Sequence, residues 1–573
     1  MKASIPILTT GAALLLASTA LAQDIATQER PRLILQITVD QLRGDLPLRH
    51  LDQFGEGGFR YLIENGIHYD NAHHAHANTE TVVGHATLAT GAHPAAHGMV
   101  GNLWFDRTLG RAVYNIEDPD YPLLTGGAGV DAETEIDPTQ KAAGTDGRSP
   151  AAILTTTFSD ELSIATQGRA KVFGVSVKDR GAVTMAGHTG KAFWFSKASG
   201  EFVTSSYYYD DYPDWVVAWN DADILQNYLG GSWDLLNPID SYLFGDRDDQ
   251  HWEPDFAGYG RTFPHPYSTI DPLSYENDPY FSTFLTISPA GDQITADFAK
   301  TLIDAEGLGN DEVTDFLGVS FSSTDYVGHF FGPSSLEAED NLLQLDRTLA
   351  DLFAHVDARI GLDKTLIVLS ADHGAPEAPG YLAELGKLGG YVSPDAWDSA
   401  AAVDRIRARF ELSGKIVEGY DHPYINLTEA ARTAEGVDPV ALETAIAEEL
   451  VSFEGVAYAI PSSRLRAGTL PENALTRAVV NNYNPDRSGD IYLVFNPGWF
   501  INDFDGLSVT VTHGSPWRYD TFVPILFAGN GLAPQTVSRR VHTVDVALTL
   551  SAIADTRPPD GAAGNVLTEV VGQ

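Results

Sequence analysis

Asp325 and His329 stand four residues apart in STDYVGH, Asp372 and His373 are neighbours in ADHG, His513 lies in THGS, and Asp40 lies far upstream in VDQLRGD. A carboxylate and an imidazole four residues apart can meet one metal ion at a strand-to-helix corner. The adjacent Asp372 and His373 follow a buried apolar run and are expected to send their side chains in diverging directions. Ligand sets that mix histidine with carboxylate suit zinc, whereas carboxylate and water alone suit magnesium or calcium. Two such ions side by side form a clamp for in-line displacement at phosphorus.

Residues of this kind need rigid mounts, and the sequence supplies them. Five short runs rich in β-branched residues end at a polar candidate: residues 33–39 at Asp40, 171–177 at Lys178, 316–321 at Asp325, 365–369 at Asp372 and 507–512 at His513. The runs are continuously apolar, as strands buried on both faces are. Helical spacing lies between them, with Leu342, Leu345, Leu349 and Leu352 recurring at intervals of three and four. The pattern predicts an α/β fold with a central, mostly parallel sheet and helices on both faces, its ligands gathered beyond the carboxyl ends of the strands. Two insertions interrupt it. Residues 193–284 are dense in aromatics and are expected to pack on themselves rather than form a substrate lid, and a second insertion spans about 378–500.

Composition narrows the function. The chain has 573 residues, 78 acidic and 36 basic, and a formal charge of −42. Tight nucleic-acid binding needs clustered Lys and Arg, so nucleic-acid partners are not expected, nor is stable association with an anionic membrane. Cysteine is absent, which removes disulfides, thiolate nucleophiles and cysteine-held metals. Residues 1–22 read as a secretory signal, with an apolar stretch ending in Ala20-Leu21-Ala22, and the mature chain 23–573 is expected to be a periplasmic protein. No oligomeric state is legible here.

The motifs VDQLRGD, TVVGHATLATG, GNLWFDR, SVKDRGAV, STDYVGH, ADHG and THGS, in this order, resemble the alkaline phosphatase superfamily. Within it the chain resembles the phosphodiesterase/nucleotide pyrophosphatase branch, and there the PafA-type periplasmic alkaline phosphatases with a threonine nucleophile. The resemblance implies an alkaline phosphatase-like fold, two zinc ions, and Thr81 as the nucleophile that forms a phosphothreonine intermediate, with Thr79 as the competing candidate two residues upstream. It implies one zinc held by Asp40, Thr81, Asp372 and His373 and the other by Asp325, His329 and His513. Asn102 resembles the donor to a phosphoryl oxygen. Lys178 and Arg180, two apart at a strand end, are expected to project together toward the phosphate, and this pair points to small-molecule phosphate monoesters rather than diesters. The readings that compete are a phosphodiesterase or nucleotide pyrophosphatase on the same site, and an exported metal- or phosphate-binding protein without turnover. His85 is expected to support the site rather than ligate.

Overall fold

The computed structural model describes residues 30–572 except 272–273, 275–277, 395–396 and 398–399; the expected signal, residues 1–22, lies outside them. The ten strands of the main sheet are β1 (Leu33–Val39), β2 (Ile67–His73), β3 (Val172–Ser176), β4 (Lys191–Ser196), β5 (Glu201–Val203), β6 (Asp315–Phe321), β7 (Thr365–Ser370), β8 (Phe522–Gly529), β9 (Gln535–Val537) and β10 (Val541–His542). They run in the order β9-β2-β8-β7-β1-β6-β3-β4-β5, with β10 beside β2. β7, β1, β6, β3 and β4 are mutually parallel, and β8 runs antiparallel between β7 and β2.

The two-residue period of β1 feeds two cores. Leu33, Leu35, Ile37 and Val39 join a cluster with Phe298 and Leu302, and with Leu342, Leu345, Leu349 and Leu352. Ile34 points the other way, toward Phe316, Leu366, Leu88 and Leu550. Five helices matter below: α1 (Thr81–Thr90), α2 (Asp179–Ala186), α3 (Pro289–Glu306), α4 (Ser323–Phe331) and α5 (Leu336–Arg359). Leu342, Leu345, Leu349 and Leu352 of α5 are at most 2% exposed, each worth roughly 1.5–3 kcal/mol of burial. Together they fix the layer behind α4.

Two expectations about the mounts are corrected. Residues 507–512 do not form a strand of the sheet: only Leu507 and Ser508 pair, in a small hairpin with Asp503 and Phe504. The segment beyond them instead donates Thr510 N–H and Val511 N–H to the His329 carbonyl at 2.8 and 3.2 Å. Val509 and Val511 are buried, which explains the strand-like pattern, but Val509 N–H donates to the Asn502 carbonyl and Val511 N–H to the end of α4. Likewise, β3 ends at Ser176, Lys178 is the N-cap of α2, and Arg180 lies in its first turn. The pair therefore follows helical rather than strand geometry, Lys178 Nζ meeting Asp40 and Asp325 and Arg180 meeting Asp137 and Thr81.

The stretch 193–284 begins inside the sheet, in β4 and β5. Its aromatics pack on the helices as well as on each other: Phe202 stacks on Phe298 of α3 with ring centroids 3.9 Å apart, and His265 meets Phe331 of α4 at 5.2 Å. The second insertion carries a four-stranded antiparallel sheet made by residues 417–421, 424–427, 491–495 and 456–461. It has its own core around Ile425, Leu442, Ile446 and Leu493.

Candidate active site

The carboxyl ends of β1, β6 and β7 deliver three carboxylates to one place. Asp40 follows β1, Asp325 is in the first turn of α4 just after β6, and Asp372 follows β7. All three are at most 2% exposed. His373 Nε2 lies 3.3 Å from Asp40 Oδ1 and 3.6 Å from Asp372 Oδ2, so the two neighbours converge where divergence was expected. Asp325 Oδ1 lies 3.2 Å from His329 Nε2 and 3.4 Å from His513 Nε2. The set Asp325, His329, His513 and the set Asp40, Asp325, His373 can each hold a metal ion.

The donors are oriented for that use. Each of the three histidines has Nδ1 against a backbone carbonyl: His329 with Val511 at 2.7 Å, His513 with Thr79 at 2.8 Å and His373 with Gly374 at 3.1 Å. This fixes the tautomer and turns each Nε2 lone pair inward. Asp40 Oδ1, Asp372 Oδ2 and His373 Nε2 are buried without a hydrogen-bond partner, an arrangement that is costly unless a cation lies among them. These residues fit a metal centre.

Electrostatics point the same way. Burial and the charge of Asp325 would raise the Asp40 carboxyl, yet the Lys178 ammonium and His373 hold it below the usual carboxylate range. Burial would depress His373, but Asp372 and Asp40 push it up to about 9. The cluster demands positive charge, and Lys178 supplies one unit: its Nζ donates to Asp40 Oδ2 at 2.8 Å and also to Asp325 Oδ2.

Thr81 opens α1 and its hydroxyl accepts from Arg180 Nη2 at 3.3 Å. Thr79, the alternative two residues upstream, donates its hydroxyl to the Ser515 carbonyl at 3.0 Å. Asn102 Oδ1 accepts from Val82 N–H at 3.0 Å, which leaves its NH2 group to offer to a ligand. Thr81, Asn102, Arg180, Asp325, His329 and His513 line one cavity of about 360 Å³. Part of the remaining wall comes from the second insertion and the loop after it, through Tyr420, His422, Phe495, Trp499, Phe500 and Phe504, and part from Ile136 and Asp137 and from Tyr326 and Phe330 of α4. None of the described residues of the 193–284 stretch lines it.

Several supporting residues escaped the sequence. Gln41, at a positive φ of 66°, donates its backbone N–H to Asp372 Oδ1 at 3.1 Å and its amide to Asp325 Oδ1 at 2.6 Å. Asp137 accepts from Arg180 Nη1 at 2.7 Å. His85 was expected to support rather than ligate; its Nδ1 lies 3.1 Å from Asp372 Oδ2 and its Nε2 2.9 Å from Ser320 Oγ. Gly84 is required by close approach, since a Cβ there would lie 1.9 Å from the Asp372 carbonyl oxygen. In VDQLRGD the glutamine beside Asp40 was the one available signal; nothing local marks Asp137.

The family model for type I phosphodiesterase / nucleotide pyrophosphatase matches residues 34–516, which span every residue of this site but one flank of its cavity. The chain belongs to the type I phosphodiesterase/nucleotide pyrophosphatase family. Within that family it is of the alkaline phosphatase type represented by PhoV and PafA. It is 34% identical to alkaline phosphatase PhoV of Synechococcus elongatus over 95% of this chain and 94% of that one. It superimposes on the crystal structure of wild-type alkaline phosphatase PafA with a TM-score of 0.84 and 31% identity, covering 95% of this chain and 99% of that one. A PafA variant in which a threonine, an asparagine, a lysine and an arginine are replaced gives a TM-score of 0.85 at 30% identity, with the same coverage. PafA and the present chain therefore share their fold. No helix among the described residues is long and apolar enough to cross a membrane.

Proposed function

We propose that this protein is an exported alkaline phosphatase: a phosphoric monoester hydrolase with two zinc ions that acts on small-molecule esters through a phosphothreonine intermediate. The observation that carries the reading is the Arg180 guanidinium 3.3 Å from the Thr81 hydroxyl, at the head of α1 and beside an aspartate and histidine cluster suited to metal. The alkaline phosphatase names of the relatives support it. So do the four residue types replaced in the PafA variant, which occur here in the same order, with the same spacing within each pair, as Thr81 with Asn102 and Lys178 with Arg180. The signal-like residues 1–22 support export.

Zinc held by Asp40, Thr81, Asp372 and His373, and by Asp325, His329 and His513, would supply Lewis-acid stabilisation of the attacking and leaving oxygens. The chain's own residues do the rest. Thr81 Oγ1 gives up its proton to water and forms a bond to phosphorus as the ester P–O bond breaks, and the leaving alkoxide takes a proton from water and departs as the alcohol. Water then cleaves the phosphothreonine, releasing inorganic phosphate and restoring the hydroxyl. Asn102 NH2 and Arg180 are placed to donate to phosphoryl oxygens, where charge-assisted hydrogen bonds are strongest.

Initial rates on p-nitrophenyl phosphate and bis-p-nitrophenyl phosphate, before and after EDTA and with zinc added back, test the reading. A monoester preference abolished by EDTA and restored by zinc is expected. A diester preference would replace this reading with the phosphodiesterase one, and no turnover on either ester would leave a binding protein.

Arg180 is held from behind by Asp137, whose carboxyl stays below the usual range because Arg180 and Lys178 outweigh its burial. Asp137→Asn removes the charge from a hydrogen bond of the charge-assisted class, so monoester kcat/KM is expected to fall by roughly tenfold. Diester kcat/KM is expected to fall less. Equal losses on the two esters would mean that Asp137 serves only the local fold.

A further inference from the structure

β1 ends at Val39 in a tight turn, closed by Leu42 N–H donating to the Val39 carbonyl at 3.3 Å, with Asp40 and Gln41 at its corners. Gln41 takes a φ of 66°. In turns of this shape that corner goes to glycine or asparagine, since the Cβ of other residues is crowded by a backbone oxygen. A glutamine held there points to a use for its side chain. Gln41 is 3% exposed, so the use is internal.

Its donors go to carboxylates that follow other strands of the sheet. The backbone N–H donates to Asp372 Oδ1, which also accepts from the His373 N–H at 3.0 Å. That leaves Asp372 Oδ2 as the oxygen without a hydrogen-bond partner. The amide Nε2 donates to Asp325 Oδ1, the oxygen that faces Nε2 of both His329 and His513. Asp40 is its neighbour in the chain. One residue therefore touches all three carboxylates, and its contacts decide which oxygens are turned to the place where a metal fits.

Helix α4 is cut away to admit this amide. A Cβ at Gly328 would lie 1.8 Å from Gln41 Oε1, 2.8 Å from the amide carbon and 3.4 Å from Nε2, so the three atoms nearest to it all belong to one side chain. Glycine inside a helix is unfavourable relative to alanine. Gly328 lies within α4 and has no positive φ to account for it. Room for Gln41 is what its missing side chain provides.

We infer that Gln41 is a positioning residue for both proposed metal ligand sets, and that Gly328 is glycine in order to seat it. Asp372 belongs to one set and Asp325 to the other, and Gln41 ties the two together across β1. The inference rests on the reading of these aspartates as metal ligands.

The test is a competition titration of zinc against a chromophoric chelator, on the full-length protein and three variants. Gln41→Gly suits the turn and keeps the N–H to Asp372 but removes the amide; Gly328→Ala keeps the amide and displaces it. Each is expected to weaken zinc binding by about 10–100-fold, the usual effect of disturbing a hydrogen-bond partner of a metal ligand. The double variant decides between a shared role and two separate ones. With the glutamine gone the new methyl has room, so zinc should bind no more than about twofold more weakly than in Gln41→Gly alone. Additive losses in the double variant, or zinc affinity in Gln41→Gly within about threefold of wild type, would overturn the inference. If Gly328→Ala does not fold by itself, it should fold in the Gln41→Gly background; failure in both backgrounds would also overturn it. Zinc binding is read without substrate, so a wild type that binds zinc but hydrolyses no ester removes the phosphatase reading and leaves this one standing, whereas a wild type that binds no zinc removes both.

Discussion

Thr81→Ala is expected to lower kcat/KM on a phosphate monoester by at least about 10³-fold, the scale on which loss of a covalent nucleophile acts. The hydroxyl lost is the one at the head of α1 that accepts from Arg180. Thr79 is poorly placed to substitute, because its hydroxyl is committed to the Ser515 carbonyl and its own carbonyl orients His513. Fold and zinc content should change little: the other six proposed ligand residues remain, and Thr81 supplies no core packing beyond one methyl. Thr81→Ser, which keeps the oxygen, should retain measurable turnover. Zinc content by mass spectrometry and rapid-quench trapping of phosphoprotein check the two halves of the expectation. Retained turnover in Thr81→Ala, at full zinc content, would assign the attack to water or to Thr79.

What the sequence revealed and what it hid have a common cause. Asp40, Asp325 and Asp372 were legible because each follows a continuously apolar strand, and a strand buried on both faces leaves its next polar residue at the sheet's carboxyl edge. His513 was legible as a candidate ligand but not by its mount, since Val509, Thr510 and Val511 are buried without being paired in the sheet: Val509 N–H goes to the Asn502 carbonyl and the next two N–H groups to the His329 carbonyl. Lys178 and Arg180 were legible as a pair, but the point where strand gives way to helix falls between Ser176 and Asp179, and that boundary decides where they point. Gln41 and Asp137 lie beyond such reading. Gln41 meets Asp372, 331 residues away, and Asp137 meets Arg180, 43 residues away. Neither contact leaves a periodic trace, because one hydrogen bond between distant loops constrains one residue, not a pattern.

Replacing both Lys178 and Arg180 by alanine is expected to lower monoester kcat/KM by roughly 10²–10⁴-fold, taking ~1.5–3 kcal/mol for each lost charge-assisted contact. Diester kcat/KM should fall less than about tenfold. The difference comes from the substrate: a monoester brings two further anionic oxygens that cations can meet, and a diester fills one of those positions with an alkyl group. The two side chains do not act alike, and the single variants separate them. Arg180 reaches Thr81 and is held by Asp137, so Arg180→Ala reports on the contacts at Thr81 and the phosphoryl group while the carboxylates of Asp40 and Asp325 keep their Lys178 partner. Lys178 uses two of its three ammonium donors on Asp40 and Asp325 and has one left for a phosphoryl oxygen. Its loss leaves those carboxylates facing each other in a buried site, so Lys178→Ala is expected to alter zinc affinity as well as rate. Zinc titration of each variant, beside rates on both esters, distinguishes the two effects. If the double variant at saturating zinc loses monoesterase and diesterase activity equally, the pair does not select between the esters and the monoester assignment falls with it.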